Sequence, residues 1–168
     1  MQSRFGALLG ARMLPLVAIG IIVALILGKL LIPTDESRVK KSLMGFIHCV
    51  EDNDAEMMMA YISDNYDDGD YLRGDLKRIL DELMDEVGPL RISLSEVRVD
   101  VDGDEASVVF SARGTTQEEG HEYYGLLRSA WRMTFRRENR MWHITSIAPI
   151  RVANINADSL KELYERHR

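Results

Sequence analysis

The segment Leu90–Ala112, which reads LRISLSEVRVDVDGDEASVVFSA, contains the change of periodicity that decides the fold class. Its apolar residues alternate with polar ones, and this period of two predicts strands with one buried face. The alternation runs in two opposite phases, first at Leu90, Ile92 and Leu94 and then at Val97, Val99 and Val101. One extra residue is therefore needed near Ser95 or Glu96, which predicts a β-bulge.

A hairpin and two further strands follow the bulge. Asp102-Gly103 predicts a two-residue turn, after which the second strand keeps one apolar face at Ala106, Val108, Phe110 and Ala112. The third strand places apolar residues on one face, at Leu127, Trp131, Met133 and Phe135. Arginines occupy its other face, at Arg128, Arg132 and Arg136. Glu138-Asn139-Arg140 then predicts a turn into a fourth strand that directs Trp142 and Ile144 inward.

Three helices are predicted before the strands. The first begins at Thr34-Asp35-Glu36, which supplies a capping residue and first-turn acids, and ends at Asp52-Asn53-Asp54. Its apolar face has helical spacing, at Val39, Leu43, Phe46, Ile47 and Val50. A short second helix covers Ala55 to Ile62. The third helix is capped by Asp75, ends at Gly88-Pro89, and has one apolar arc at Leu76, Ile79, Leu80, Leu83, Met84 and Val87.

Helices followed by an antiparallel meander predict an α+β domain in which three helices pack on one face of a curved, mainly antiparallel four-stranded sheet. About 135 residues follow the apolar N-terminal segment, which is a common size for a single core. We assign the domain to residues 35–150. Residues 151–168 are then a C-terminal tail, in which Ala157 to Arg168 predict a short helix patterned by Leu160, Leu163 and Tyr164.

The N-terminal segment predicts a transmembrane anchor. Twenty residues from Met13 to Ile32 are apolar or glycine except for Pro15 and Lys29, and a helix of that length spans about 30 Å, the thickness of a bilayer core. A cleaved signal peptide is the alternative, but its core would be shorter and small residues would follow it. Pro33 follows instead, and Lys29 lies near enough to the end to reach the headgroups. Residues 1–12 are then a short tail.

The charged residues that flank this anchor do not determine its orientation in the membrane. Arg4, Arg12 and the amino terminus precede it, and Arg38, Lys40 and Lys41 follow it, partly offset by Asp35 and Glu36. The positive charge on the two sides of the anchor is nearly equal, so the positive-inside rule does not decide the orientation. A tail of twelve residues is easily retained in the cytoplasm while the rest of the chain is exported. We therefore predict a single-pass protein of the cell membrane with its domain outside the cytoplasm.

The net charge of −6 is unevenly distributed. Thirteen acidic residues lie between Glu51 and Glu86, whereas six arginines lie between Leu126 and Arg151. Two solvated faces explain this most simply, and an anionic partner on the arginine face of the third strand, with Arg113 beside it, is the alternative. A membrane surface, a protein partner or a homodimer through the sheet all fit that face. Nucleic acid does not, because interleaved aromatic residues are missing.

Several segments carry a family resemblance. The helix pair with Phe46–Ala55 and Tyr61–Asp64, the bulged strand, and the meander that closes on Arg137–Ile144 resemble the nuclear transport factor 2-like superfamily, including its SnoaL-like and ketosteroid isomerase-like branches. The resemblance spans roughly Asp35 to Ile150. It implies a cone-shaped sheet wrapped on helices, a pocket inside the cone, and frequent dimerisation through the sheet. Members of the superfamily include enzymes and subunits that only bind.

The resemblance also locates the residues that the isomerase branch would need. Its oxyanion tyrosine position falls at Phe46, which has no hydroxyl group, and its general base falls near Asp70. Asp70 lies in Asp67-Asp68-Gly69-Asp70, which reads more simply as a solvated turn. The second oxyanion acid has no inward-facing match on the strands. Removal of one such donor costs about 10²- to 10³-fold in rate, so the sequence predicts no catalytic residue, with Asp70 as the single candidate.

An interior pocket is predicted to have an apolar lining. Its candidate residues are Phe46, Met58, Tyr61, Trp131 and Met133, which suit an apolar ligand. The simpler alternative is that the same side chains fill the core.

The sequence gives little evidence for a metal or cofactor site. Asp64, Asp68, Gly69 and Asp75 occupy four positions of a calcium-loop template, but the third position is Tyr66 and the usual glutamate is missing. The histidines and Cys49 show no zinc spacing, and the single cysteine leaves the redox compartment open. His48 next to Cys49 is not a dyad, because adjacent helical residues point apart. We therefore predict no cofactor and no metal.

These observations predict a membrane-anchored, non-catalytic binding or scaffolding module. The alternative is a SnoaL-like or isomerase-like enzyme that acts on a small apolar substrate.

Overall fold

Three helices precede the sheet along the chain. The computed structural model describes residues 33–87, 90–116, 127–152, 155–156 and 160–161, and the helices are α1 at Asp35–Glu51, α2 at Ala55–Met59 and α3 at Arg73–Val87. Helix α1 begins and ends where the sequence predicts. Its buried face consists of Val39, Leu43, Phe46 and Ile47, and Asn53 adopts a left-handed φ of 57° just beyond its end.

Helix α2 is shorter than predicted. Asp54 caps it, with Oδ1 accepting a hydrogen bond from the Met57 amide at 2.9 Å, but it ends at Met59 rather than Ile62. The chain then runs beside the fourth strand, where the Ile144 amide donates to the Tyr61 carbonyl at 2.8 Å and the Ser63 amide donates to the Ile144 carbonyl at 2.9 Å. Pairing with this strand edge satisfies the backbone groups that another helical turn would have paired.

Helix α3 begins two residues before the predicted cap. Asp75 lies inside its first turn, and its carboxylate accepts a hydrogen bond from the Leu72 amide at 3.3 Å. Asp75 therefore stabilises the helix start by reaching back one turn. Leu76 and Ile79 are buried as predicted, whereas the side chains of Leu83, Met84 and Val87 lie outside the described part of the molecule.

The sheet is an antiparallel meander. Its strands are β1 at Leu90–Asp102, β2 at Glu105–Thr116, β3 at Leu127–Glu138, β4 at Met141–Val152 and a two-residue β5 at Ile155–Asn156, in the spatial order β1-β2-β3-β4-β5. The predicted bulge is confirmed, since the register of β1 against β2 shifts between Ser95 and Arg98 and Glu96 has φ 55°. The four long strands were predicted, and β5 was not.

The two tight turns differ in how well the sequence located them. Asp102 pairs with Glu105, so the first turn consists of Gly103 and Asp104, one residue later than predicted, with Gly103 at φ 60°. The second turn follows Glu138 as predicted. Its central residues Asn139 and Arg140 have φ 50° and 71°, which is the left-handed pair that a type I′ hairpin turn requires.

The core lies between the helices and one face of the sheet. Alternate residues of β2, β3 and β4 contribute to it, and Val108, Phe110, Phe135 and Ile144 are each no more than 2 % exposed. Val39, Leu43 and Met58 close it from the helices with at most 1 % exposure. An α+β fold with three helices on an antiparallel sheet of four long strands is therefore confirmed.

Some predicted segments fall outside the described residues. These are the tail 1–12, the anchor Met13–Ile32 and most of the C-terminal helix, of which Leu160 and Lys161 are helical. Among the described residues, no helix combines the length and apolar character that crossing a bilayer needs.

Candidate functional site

The five predicted pocket residues all belong to the helix side of the sheet. Phe46, Met58 and Met133 are buried, with exposures of 4 %, 0 % and 4 %, and Tyr61 and Trp131 are partly buried against the same apolar cluster. Tyr61 packs directly on helix α1, because a Cβ built on Gly45 would lie 2.3 Å from the Tyr61 hydroxyl oxygen. The structure thus gathers these residues into or against the core. Their role as ligand contacts stays a prediction.

Asp70 lies in an exposed turn. Asp67 accepts a hydrogen bond from the Gly69 amide at 2.8 Å, and Asp68 accepts from the amides of Asp70 and Tyr71 at 3.0 and 2.7 Å. The two preceding carboxylates therefore build the turn, and the side chain of Asp70 is left facing solvent. A general base in that position would act on a proton in water rather than in an enclosed site.

The carboxylates of the calcium template are used elsewhere. The Asp64 side chain is 91 % exposed and lies 3.4 Å from Nε of Arg73, Asp68 builds the turn, and Asp75 binds the start of α3. In the described ranges, no group of three or more histidine, cysteine, aspartate or glutamate side chains converges as metal ligands would.

Tyr66 is a buried polar residue that the sequence analysis did not single out. Its side chain is 2 % exposed, and its hydroxyl group donates to Oδ2 of Asp68 at 2.8 Å. Burial, followed by the hydrogen bond to Asp68, raises the pKa of Tyr66 above its ordinary value of 10.0. The phenol is therefore neutral. The neighbouring Asp67 amide donates to the Thr145 carbonyl at 3.0 Å and fastens the segment to β4.

A second polar cluster joins the segment after α2 to the turn between β3 and β4. Ser63 is fully buried, and its hydroxyl group donates to Oε1 of Glu138 at 2.7 Å while accepting the Asn65 amide at 3.0 Å. Nδ1 of His143 lies 3.7 Å from Oε2 of Glu138. That nitrogen is buried and has no hydrogen-bond partner among the residues that the structure describes. Nothing in the local sequence brings these residues together, because 75 positions separate Ser63 from Glu138.

Cys49 and His48 do not form a nucleophilic pair. His48 is 71 % exposed and lies 3.4 Å from Glu51, as expected for a surface residue. Burial, with Asp54 and Asp52 nearby, raises the pKa of the Cys49 thiol. Cys49 is therefore a protonated thiol, which is a poor nucleophile.

The opposite face of the sheet carries the charged residues. Arg128, Arg132 and Arg136 are all exposed on it, but Arg136 differs because it binds Glu105 at 2.8 Å. Near this pair is an open cleft of about 340 Å³. Polar side chains dominate its lining, at Asp100, Asp102, Glu105, Ser107, Thr134, Arg136 and Thr145. One end of this face is therefore acidic. Arg128 and Arg132, for which the described residues offer no pairing acid, lie toward the other end.

Arg137 has a structural role on the helix side. Its guanidinium binds Asp104 in the first hairpin turn and Asp35 at the start of α1, the latter at 3.2 Å. It also lies 5.6 Å from the ring centroid of Trp142. The charge pairs raise the pKa of Arg137, so it stays a cation that links a turn, a helix and a strand.

The order of elements and the position of the core define a class of protein in which three helices cover one face of a long-stranded antiparallel meander. The family model of the SnoaL-like domain matches residues 39–148, more than half of the chain. The chain belongs to the SnoaL-like domain family.

Solved structures share the fold at low sequence identity. A putative dehydratase of the NTF2-like family from Streptomyces avermitilis is 19 % identical with a TM-score of 0.56, covering 67 % of this chain and 92 % of its own. A putative scytalone dehydratase from Novosphingobium aromaticivorans is 12 % identical with a TM-score of 0.58, covering 73 % and 91 %. A protein of unknown function with a cystatin-like fold from Nostoc punctiforme is 15 % identical with a TM-score of 0.60, covering 71 % and 92 %. No curated protein matches the chain.

Proposed function

We propose that this protein is a membrane-anchored binding module whose functional surface is the outer face of the sheet. In this proposal residues 13–32 form a single-pass anchor behind the tail 1–12, and residues 35–150 form the domain, outside the cytoplasm. Residues 151–168 follow as a tail. No cofactor takes part, and the partner binds through the sheet.

The composition of the interior is the observation that carries this proposal. Phe46, where the family resemblance places an oxyanion tyrosine, is 4 % exposed within an apolar cluster. Asp70, the candidate base, faces solvent, and the buried phenol of Tyr66 already donates a hydrogen bond to Asp68. An isomerase-type reaction needs an acid–base group and an oxyanion donor on the same enclosed substrate. The described interior supplies apolar contact surface in their place.

Fractionation of cells that make the full chain tests the anchor. The protein should pellet with membranes through washes with high salt and alkaline carbonate, and detergent should release it. Val23→Arg combined with Leu25→Arg places two charges in the apolar segment and should move the protein to the aqueous fraction, whereas Val23→Leu should not. Recovery of the unaltered chain in the salt-washed aqueous fraction would overturn the anchor.

Protease treatment of intact spheroplasts tests the orientation. We expect digestion of the domain without lysis. Complete protection, followed by digestion after lysis, would place the domain in the cytoplasm.

A second candidate function is acid–base catalysis on a small apolar substrate. The observation that favours it is the half-buried pair of His143 and Glu138, in which Nδ1 of His143 lies 3.7 Å from the carboxylate and forms no hydrogen bond within the described ranges. Turnover of small apolar carbonyl or hydroxy compounds that His143→Gln and Glu138→Gln abolish, while the melting temperature is kept, would favour this candidate. The binding proposal expects no turnover from the full chain, with or without either substitution.

A further inference from the structure

The register of the sheet assembles a patch that no single strand reveals. Arg113 on β2 is the direct cross-strand partner of Arg128 on β3, and Arg98 and Arg132 flank Val109 in the row formed by the three strands. Arg151 on β4 pairs with Ala130, and Arg91 pairs with Thr115 at the end of the sheet. We call this set the arginine face. It consists of Arg91, Arg98, Arg113, Arg128, Arg132 and Arg151, all exposed.

The arginine face has a strong excess of positive charge. Within the described ranges, none of its six members forms an ion pair at 4.0 Å or less, whereas Arg136 at the other end of the same face binds Glu105. Among the described strand residues, Glu96 at the bulge is the acidic residue that lies near the arginine face. Its carboxylate accepts a hydrogen bond from Ser111 at 2.8 Å. Like charges on directly opposed cross-strand positions are destabilising, so the pairing of Arg113 with Arg128 has no structural benefit by itself.

The residues between the arginines restrict the kind of partner. They are mainly small and polar, with Ser93 and Ser95 on β1 and Ser111 on β2. Among the described residues of this half, Val109 and Ile150 are the larger apolar side chains, and no aromatic residue is present. Protein interfaces combine arginines with buried aromatic or large apolar anchors, and single-stranded nucleic acids bind by aromatic stacking. Arginines separated by short polar side chains instead suit a partner whose negative charge is spread over a broad surface.

We propose that the arginine face docks on the headgroup layer of an anionic phospholipid bilayer. This rests on the proposed membrane anchor, because the anchor would end at Ile32 and α1 begins at Asp35, so that Pro33 and Thr34 alone separate them. So short a connection keeps the domain at the bilayer surface, where each arginine contributes about a fivefold gain in association at moderate ionic strength. The contact holds the outer face of the sheet against the lipid.

The test uses the full chain in nanodiscs of phosphatidylcholine, with or without one third phosphatidylglycerol. Cys49→Ser removes the native thiol, and Ser95→Cys places a reporter within the arginine face. Ala60→Cys, an exposed residue at the end of α2, is the matched reporter on the helix layer. The rate of modification by a bulky maleimide is measured for each, and thermal melting verifies that each variant is folded.

We expect phosphatidylglycerol to slow modification at position 95 about tenfold or more and to leave position 60 unchanged. High salt should restore the rate, as should Arg113→Gln with Arg128→Gln, since two arginines account for about a 25-fold change. Arg38→Gln with Arg140→Gln removes the same charge from other surfaces and should not.

Equal rates in both lipids would overturn the docking even if the protein is stably inserted. A chain that fails to enter neutral nanodiscs would overturn the anchor, and the same reporters with anionic vesicles would still decide the docking. Protection at position 95 in the absence of anionic lipid, but only in cell membranes, would assign the face to an acidic protein and also overturn the proposal.

Discussion

The two faces of the sheet are built from the same strands but differ in almost every property. On the helix side, alternate residues such as Val108, Phe135 and Ile144 are fully buried. On the outer side, the intervening residues are mainly arginines, serines and threonines, with acidic residues at one end and the arginines exposed. The inner face therefore specifies the fold, and the outer face tolerates substitution without loss of the fold. A function that depends on the outer face can be removed without unfolding the domain.

The largest contrast is expected at Phe135. This side chain is 1 % exposed on the inner face, and Phe135→Ala should lower the free energy of unfolding by about 3–5 kcal/mol. Arg132→Ala, three residues earlier on the outer face, should change it by about 0.5 kcal/mol or less. Urea denaturation of the full chain in detergent measures both. Equal effects would mean that the outer face is also covered by folded structure.

A packing contact at Gly45 sharpens the comparison within the helix layer. Gly45→Ala would put a Cβ 2.3 Å from the Tyr61 hydroxyl oxygen and 2.6 and 2.7 Å from two of its ring carbons. The ring must shift, so we expect a loss of about 1–3 kcal/mol in the free energy of unfolding.

Gly74→Ala is the matched control for Gly45→Ala. No atom lies within 4 Å of a Cβ at Gly74 in α3, and alanine there should stabilise the helix by up to about 1 kcal/mol. A neutral Gly45→Ala would show that Tyr61 is free to leave the helix, which would favour an interior pocket at this position.

The sequence predicted those features that depend on neighbours along the chain. The alternation around Ser95 located the bulge, and the spacing of Val39, Leu43 and Phe46 located the buried face of α1. The hairpin turn was placed one residue early, because Asp-Gly and Gly-Asp are both acceptable turn pairs and the register of Asp102 with Glu105 decides between them.

Features that depend on distant pairing were not predictable. The sequence showed Tyr66 only as a residue that does not fit a calcium loop, whereas the structure holds its segment on β4 through the hydrogen bond from the Asp67 amide to the Thr145 carbonyl. Likewise, Arg113 lies beside Arg128 only because β2 and β3 pair in one particular register. The cluster of Ser63, Glu138 and His143 depends on the end of α2 reaching the β3–β4 turn. Sequence patterns among neighbouring residues do not indicate contacts between residues that are far apart along the chain.

A smaller effect is expected at Tyr66. Tyr66→Phe removes the hydrogen bond that the buried hydroxyl group donates to Asp68, and should cost about 1–2 kcal/mol in the free energy of unfolding at neutral pH.

The same substitution should alter the response to alkaline pH. Because the pKa of Tyr66 is raised in the folded state above its ordinary value of 10.0, the unfolded chain loses this proton first. The stabilisation from Tyr66 is therefore complete below pH 10.0 and declines as the pH rises above that value. The difference between the unaltered chain and Tyr66→Phe should shrink from pH 9 to pH 11, as measured by urea denaturation. A constant difference would mean that the phenol ionises alike in both states.

The smallest change in stability is expected where the proposed functional effect is largest. Arg113→Gln with Arg128→Gln removes two opposed cations from an exposed row of the sheet, which relieves repulsion and buries nothing. The free energy of unfolding should stay within about 0.5 kcal/mol of the unaltered value or rise slightly, in the same denaturation experiment. A clear loss would show that an acidic group elsewhere in the chain already pairs with these arginines in the free protein. In that case the arginine face contributes to folding, and the separation between the two faces of the sheet breaks down.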